Sequence, residues 1–312
     1  MVSTLEAITD YERALVIGIG GGGDIVGTIP TGRLLQTLGV EVYLGGIAWQ
    51  PVPRDVKPGP TPLAELLDVT PLAAHVARVH PHARTIDGTQ LPEGIVAEAV
   101  DEPVFILDVV DGPFALADSL AGVLDEHHID LVVGIDAGGD VLAIGTESGI
   151  RSPISDAFGL LLLRELDVTT LVGVIGYGSD GELTLDELNE AVSELARRDG
   201  LLGAWGITPR VRDELEGLLE SVETEASRLP VEAAGGSFGR FNIRDGRRIA
   251  TITPSSMITY YFDTQRVIDR SITVRLIESA TGVGEAAERL KEAGIHTELD
   301  TERSLLRDDT TS

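Results

Sequence analysis

The sequence predicts an α/β fold: a Rossmann-like, doubly wound, mostly parallel sheet with helices on both faces and a C-terminal β-hairpin. Short apolar runs recur along the chain, each closing in a turn rich in Gly and Asp, and several lead into stretches of helical periodicity. The runs are apolar throughout instead of alternating, the pattern of strands covered on both faces.

In chain order, strands are expected at Ala14–Ile19, Val40–Leu44, Val104–Val110, Leu131–Ile135 and Thr170–Ile175. Helices are expected at Ile25–Leu38, Phe114–Glu126, Ser152–Leu166 and Leu185–Arg198. The PVPRDVKPGPTP run cannot be a regular helix, because proline removes a donor and locks φ, so the Asp55–Val100 region reads as a loop followed by short helices. A long acidic helix is expected from Arg210 through about Leu229. Phe241–Ile243 and Arg248–Thr253 flank RDGR, a hairpin signal. Ser279–Ala293 reads as helix, GIHTELD as a terminal strand, and Tyr260, Tyr261 and Phe262 as apolar packing. At 312 residues, one domain over 1–300 is expected, with an inserted loop and helical segment at about 50–100 and a solvated tail at 301–312.

Composition bounds the partners. The chain carries 51 Asp and Glu against 24 Lys and Arg, a formal net charge of −27, so nucleic acid and anionic membranes are not expected partners. With 43% hydrophobic residues the acidity does not signal disorder. Only Lys57 and Lys291 are lysines, against 22 arginines; excess carboxylate with almost no Lys suggests a halophilic source, where salt screens self-repulsion. The absence of Cys excludes disulfides and thiolate chemistry. No apolar run approaches the ~18 residues of a membrane span, and the N-terminus lacks a signal pattern, so a cytoplasmic protein is expected.

The chemistry is expected at the turns. ALVIGIGGGGDIVG runs a strand through Gly20, Gly21, Gly22 and Gly23 into a helix, where backbone N–H groups and the helix N-terminus suit a phosphate. A dinucleotide fingerprint matches at Gly18, Gly20 and Gly23, but the acid that would hold a ribose, Glu41, begins its strand instead of ending it. A tight turn without a ligand is the structural alternative. No Lys follows the glycines, which excludes a Walker A loop, and a tubulin-like second phosphate loop is missing. IDLVVGIDAGGD supplies Asp136, Gly138, Gly139 and Asp140 at the carboxyl end of a strand, where Asp136 and Asp140 could hold Mg²⁺ or share acid and base roles. Asp24 joins them as a candidate metal ligand, or only caps its helix. Ser152 reads as an N-cap with Pro153 at N1, beside Arg151 as an anion clamp or surface ion pair and Asp156 one turn inside the helix. Gly178, Ser179 and Asp180 follow another strand and are candidates for the rim of a substrate site. Arg54 and Lys57, in the Pro-rich loop, are candidate contacts for an anionic substrate or part of a rigid surface crossing. HVARVHPH has no zinc spacing, and no G-x-S-x-G elbow supports a serine nucleophile.

The ordered set GGGGD, W…RD-x-x-PGP, D-x-GGD, RSP-x-x-DA and G-x-GSDGE resembles the largely archaeal family catalogued as domain of unknown function 1152, over roughly residues 13–265. The matching positions are Gly20–Asp24, Trp49, Arg54, Asp55, Pro58–Pro60, Asp136, Gly138–Asp140, Arg151–Pro153, Asp156, Ala157 and Gly178–Glu182. The resemblance implies a Rossmann-like α/β protein of archaeal type and supplies no reaction. From the loops, the expected function is an enzyme that binds a phosphorylated metabolite or nucleotide, with Mg²⁺-dependent phosphoryl transfer or hydrolysis. A non-catalytic nucleotide or metabolite sensor, or a homo-oligomeric scaffold, are the alternatives.

Overall fold

Alternate residues of the first strand feed two different cores. In β1 (Arg13–Gly18), Leu15 and Ile17 belong to one buried apolar cluster while Ala14 and Val16 belong to another. Such a strand must lie between two layers of helices, which explains its unbroken apolar sequence. The computed structural model describes residues 5–50 and 57–309, with side chains as far as residue 306.

After β1 come α1 (Asp24–Thr37), β2 (Glu41–Ile47), β3 (Leu66–Ala73), β4 (Val76–Thr85), α2 (Pro92–Ala99), β5 (Val104–Leu107) and α3 (Gly112–His127). The second half adds β6 (Leu131–Ala137), α4 (Pro153–Glu165), β7 (Thr169–Ile175), α5 (Leu185–Arg197), β8 (Leu201–Gly206), α6 (Pro209–Leu218) and α7 (Glu225–Ala234). The hairpin strands β9 (Gly239–Ile243) and β10 (Arg248–Ile252) follow, then β11 (Ile258–Asp263), α8 (Thr264–Arg270), α9 (Ile272–Ile277), α10 (Val283–Glu292) and α11 (Glu298–Asp309).

The large sheet runs β3-β4-β5-β2-β1-β6-β7-β11-β8, and β9 and β10 form a separate antiparallel pair. The central strands β5-β2-β1-β6-β7 are parallel, and antiparallel strands extend both edges. From β1 the chain winds outwards through β2 to β5, then returns to place β6 and β7 on the other side. The order therefore reverses between β1 and β6, which opens a crevice at their carboxyl ends. Helices α1, α2, α6 and α7 cover one face, and α3, α4, α5, α8 and α10 the other. Among the described residues no helix is long and apolar enough to cross a membrane.

The expected α/β class, the mostly parallel sheet and the C-terminal hairpin are all present. Several elements differ from expectation. The stretch expected as short helices contains the β3–β4 hairpin, so His75 lies at its turn and His80 and His82 lie on a strand. Pro71 is accommodated on the edge strand β3, and Pro81 on β4 falls in the irregular stretch between the Val79 and Arg84 pairings, beyond the residues that pair with β5. The long acidic helix is two helices, because Thr224 caps a new one by accepting a hydrogen bond from Ser227 N. Tyr260, Tyr261 and Phe262 do pack in the apolar cores, as expected, but from a sheet strand, with the buried Tyr261 hydroxyl 2.9 Å from Thr31 Oγ1. The segment expected as a terminal strand starts α11 instead, since Thr297 and Asp300 cap it reciprocally. The helix runs to Asp309, into the segment expected as a tail, and its Glu302 is buried.

Candidate functional site

Three strand ends converge on the crevice between β1 and β6. Asp24 begins α1 just after β1; Asp136 ends β6 and Asp140 lies one turn beyond; Asp180 and Glu182 follow β7; Asp156 enters from the first turn of α4. All six carboxylates are buried. Carboxylate oxygens of Asp136, Asp140 and Asp156 lie within 4.8 Å of one another, and this is the one potential metal-holding trio found among the described residues.

Local chain geometry aims each group. Asp24 Oδ2 accepts Gly20 N–H at 3.0 Å, so the acid is folded back over the glycine turn. Asp136 Oδ2 accepts Gly139 N–H at 2.8 Å, and Ser152 Oγ donates to Asp140 Oδ2 at 2.7 Å. Gly138 has φ +143, and the space a Cβ would fill there is taken by the Asp180 carboxylate. No other residue type allows that approach. Asp180 Oδ1 accepts Glu182 N–H at 3.0 Å, while its buried Oδ2 has no hydrogen-bond partner among the described residues.

Charge is poorly balanced. Burial, reinforced by Asp140, pushes the Asp24 carboxyl up to about 8. Burial and the neighbouring carboxylates raise Asp136, Asp156 and Asp180 well above the ordinary range, with Asp140 the largest Coulombic contributor to each. Glu182 is pushed up to about 8 by burial and Asp140, although Arg248 Nη1 donates to its Oε1 at 2.6 Å. Asp140 is thus the hub. Carboxylates crowded in this way demand protons or a cation.

The remaining candidates are distributed differently. Gly21 and Gly23 are committed to packing: a Cβ on Gly21 would stand 2.7 Å from Trp49 O, and one on Gly23 would collide with Thr224. Gly22 donates to Trp49 O at 2.7 Å. Ser152 N and Arg151 N both donate to Glu182, and the Arg151 guanidinium donates to Ser148 O and Ile150 O of its own loop. The Ile154 and Ser155 N–H groups at the start of α4 donate to Glu298 of α11, so that helix end holds an internal carboxylate. Ser179 Oγ donates to Ala226 O. Lys57 pairs with Glu65 and Asp87. Arg54 and Asp55 lie outside the described residues.

Three groups at the site were not singled out from the residues as candidates. Glu182 was present only as the end of the GSDGE motif, Arg248 lay in a segment read only as a hairpin, and Glu298 lay in the presumed strand. For Arg248 the density of arginine around RDGR was an available signal.

Fold and site together define a Rossmann-like α/β protein with an acidic centre at its topological switch point. Residues 15–306 match the family model described as "Protein of unknown function (DUF1152)", and the chain belongs to that family. No functionally curated protein matches it significantly.

Proposed function

We propose that this protein is a divalent-cation-dependent enzyme that binds a phosphorylated metabolite or nucleotide at the β1–β6 crevice and transfers or hydrolyses a phosphoryl group. The observation that carries the reading is the buried trio Asp136, Asp140 and Asp156 together with the unpartnered Asp180 Oδ2. Oxygens sharing one Mg²⁺ stand about 3–4.2 Å apart, so oxygens within 4.8 Å need only a small closure around the ion. An all-oxygen donor set suits Mg²⁺ or Mn²⁺ over softer metals. When bound, the ion supplies positive charge for a phosphoryl oxygen. Asp136, Asp140 and Asp156 would hold it, Gly139 and Ser152 orient the first two of these carboxylates, and Asp24 and Asp180 would serve as further oxygen donors.

The test is Mn²⁺ titration by calorimetry, followed by turnover of a panel of phosphate esters and nucleotides. Asp136→Asn and Asp140→Asn are expected to abolish both metal binding and turnover; unchanged metal binding and turnover in both variants overturns the reading. Ligand binding without turnover assigns a sensor, and neither assigns a scaffold.

We also infer a halophilic source, supported by the net charge of −27 carried with only two lysines. Unfolding on transfer from concentrated KCl to dilute buffer is the expected outcome.

A further inference from the structure

Ser152 holds the N-cap position of α4 with Pro153 next to it, yet its side chain makes no cap hydrogen bond. An N-cap serine ordinarily accepts the second or third backbone N–H of its helix. In α4 those belong to Ile154 and Ser155, and both are already taken. Ser155 N–H donates to Glu298 Oε1 at 2.7 Å, and Ile154 N–H donates to the same oxygen at 3.1 Å. The cap of α4 therefore comes from α11, 144 residues further along the chain from Ile154. A carboxylate there also suits the positive end of the helix dipole.

The hydroxyl released from that duty faces the acids. Ser152 Oγ lies 2.7 Å from Asp140 Oδ2 and 3.3 Å from Glu182 Oε1, and a hydroxyl has one proton to give, so Asp140 receives it. The oxygen is within reach of Asp140 and of no α4 amide, which makes orienting Asp140 and capping α4 alternative placements of one side chain. The first turn itself closes without Glu298, through Ser155 Oγ donating to Ser152 O at 3.0 Å and Asp156 N–H to the same carbonyl at 3.4 Å. Nor does α11 depend on Glu298 for its seat. Leu299 packs in the core, and Glu302 accepts Trp49 Nε1–H at 3.1 Å and Gly59 N–H at 2.7 Å.

We propose that Glu298 is a positioning residue of the cation site: by capping α4 from α11, it leaves the Ser152 hydroxyl to hold Asp140 in its ligating orientation. This assignment rests on the metal-dependent reading above, in which Asp140 is one of the three carboxylates around the ion. Without Glu298, two N–H groups at the α4 start lose their acceptor, which is costly for buried donors. Ser152 Oγ is the nearest replacement in the chain, and its turning inward deprives Asp140 of the hydroxyl.

The test is a double-substitution cycle on Mn²⁺ affinity, measured by calorimetry on the full chain. Glu298→Ala and Ser152→Ala are each expected to lose about tenfold in affinity. Combined, they are expected to lose no more than about twofold beyond Ser152→Ala alone, because Glu298 acts through that hydroxyl. Glu298→Gln keeps the side-chain length and one acceptor oxygen, guards against misfolding of the alanine variant, and is expected to lose about threefold, with no further loss in the Ser152→Ala background. Glu302→Ala loosens the same helix and is expected to lower the thermal midpoint while Mn²⁺ affinity stays within about twofold of the wild type. The proposal is overturned if Glu298→Ala binds Mn²⁺ as the wild type does, if the two alanine losses multiply to about a hundredfold, or if Glu302→Ala costs as much affinity as Glu298→Ala. A crystal structure of metal-free Glu298→Ala reads the same device without the ion: Ser152 Oγ is expected on the Ile154 or Ser155 N–H and away from Asp140, and its staying on Asp140 also overturns the proposal. A wild type that binds no Mn²⁺, with Ser152 turned inward in that crystal structure, would sink the metal reading and leave the positioning of Ser152 and Asp140 by Glu298 standing.

Discussion

Glu93 and the acids at the mouth of the sheet are all buried carboxylates, and their surroundings set them apart. Glu93 lies at the start of α2 with its Oε1 over Gly46, Oε2 without a partner among the described residues, and apolar neighbours on the same sheet face. Burial alone pushes it up to about 8. The mouth acids are instead oriented by Gly20 N, Gly139 N and Ser152 Oγ, and Asp140 adds to the burial that raises Asp24 and Asp136. A solitary buried carboxyl is satisfied by a proton. A set of carboxylates aimed at a common point is better satisfied by a shared cation, which is why the mouth and not Glu93 is assigned chemistry.

The comparison can be tested by separating the two sites energetically. Glu93→Gln has the largest expected effect. The folded protein holds the Glu93 proton up to about pH 8, whereas the ordinary value is 4.5, so stability falls as pH rises through that window and is flat above it. The substitution is expected to remove up to about 5 kcal/mol of that loss at pH above 8 and to change nothing at pH 4, measured by chemical denaturation. Its Mn²⁺ affinity should match the wild type; a changed metal affinity would join the two sites that the comparison separates.

Metal addition probes the other side. At a hundredfold excess over Kd, Mn²⁺ is expected to stabilise the wild type by about 2.7 kcal/mol and Asp140→Asn negligibly. Because Asp24, Asp136, Asp156, Asp180 and Glu182 are also raised, the metal-free protein should lose stability with rising pH, and Mn²⁺ should offset that loss in the wild type but not in Asp140→Asn. Thermal melts across pH with and without Mn²⁺ read both effects.

Glycine substitutions give the smallest differences. Gly138→Ala combines a φ of +143 with a clash against Asp180 and is expected to cost about 2 kcal/mol and weaken Mn²⁺ binding. Gly39→Ala also sits at positive φ, at +90, but meets nothing within 4 Å, so it should cost only about 1 kcal/mol and leave Mn²⁺ binding intact. Equal effects on metal affinity would show that Gly138 serves the backbone alone.

Legibility in the sequence followed the range of the interactions. The β1 turn, the β6 turn and the start of α4 were readable because strand, glycine turn and helix are adjacent in the chain and each has a local signature. The β3–β4 hairpin was hidden by prolines and histidines that edge strands tolerate, and β11 by an aromatic run whose meaning depends on pairing with β7 and β8. Thr297 and Asp300 formed a legible cap, yet GIHTELD read as a strand because its flanks gave no apolar periodicity. Within the site, Asp136 and Asp140 stood out beside their glycines. Glu182, Glu298 and Arg248 did not, because on an acidic, arginine-containing surface one charged residue looks like another until burial distinguishes it.

By itself, the sequence determined the α/β class, the strands closing in glycine and aspartate, and the acidic surface, all of which depend on neighbouring residues or on bulk composition. Only the tertiary structure decided that Asp24, Asp136, Asp140, Asp156 and Asp180 share one crevice, that Glu298 fills the start of α4, and that Arg248 of the hairpin reaches Glu182. Those relations arise from the reversal of strand order between β1 and β6 and from packing between segments far apart in the chain, where no local pattern of residues carries the information.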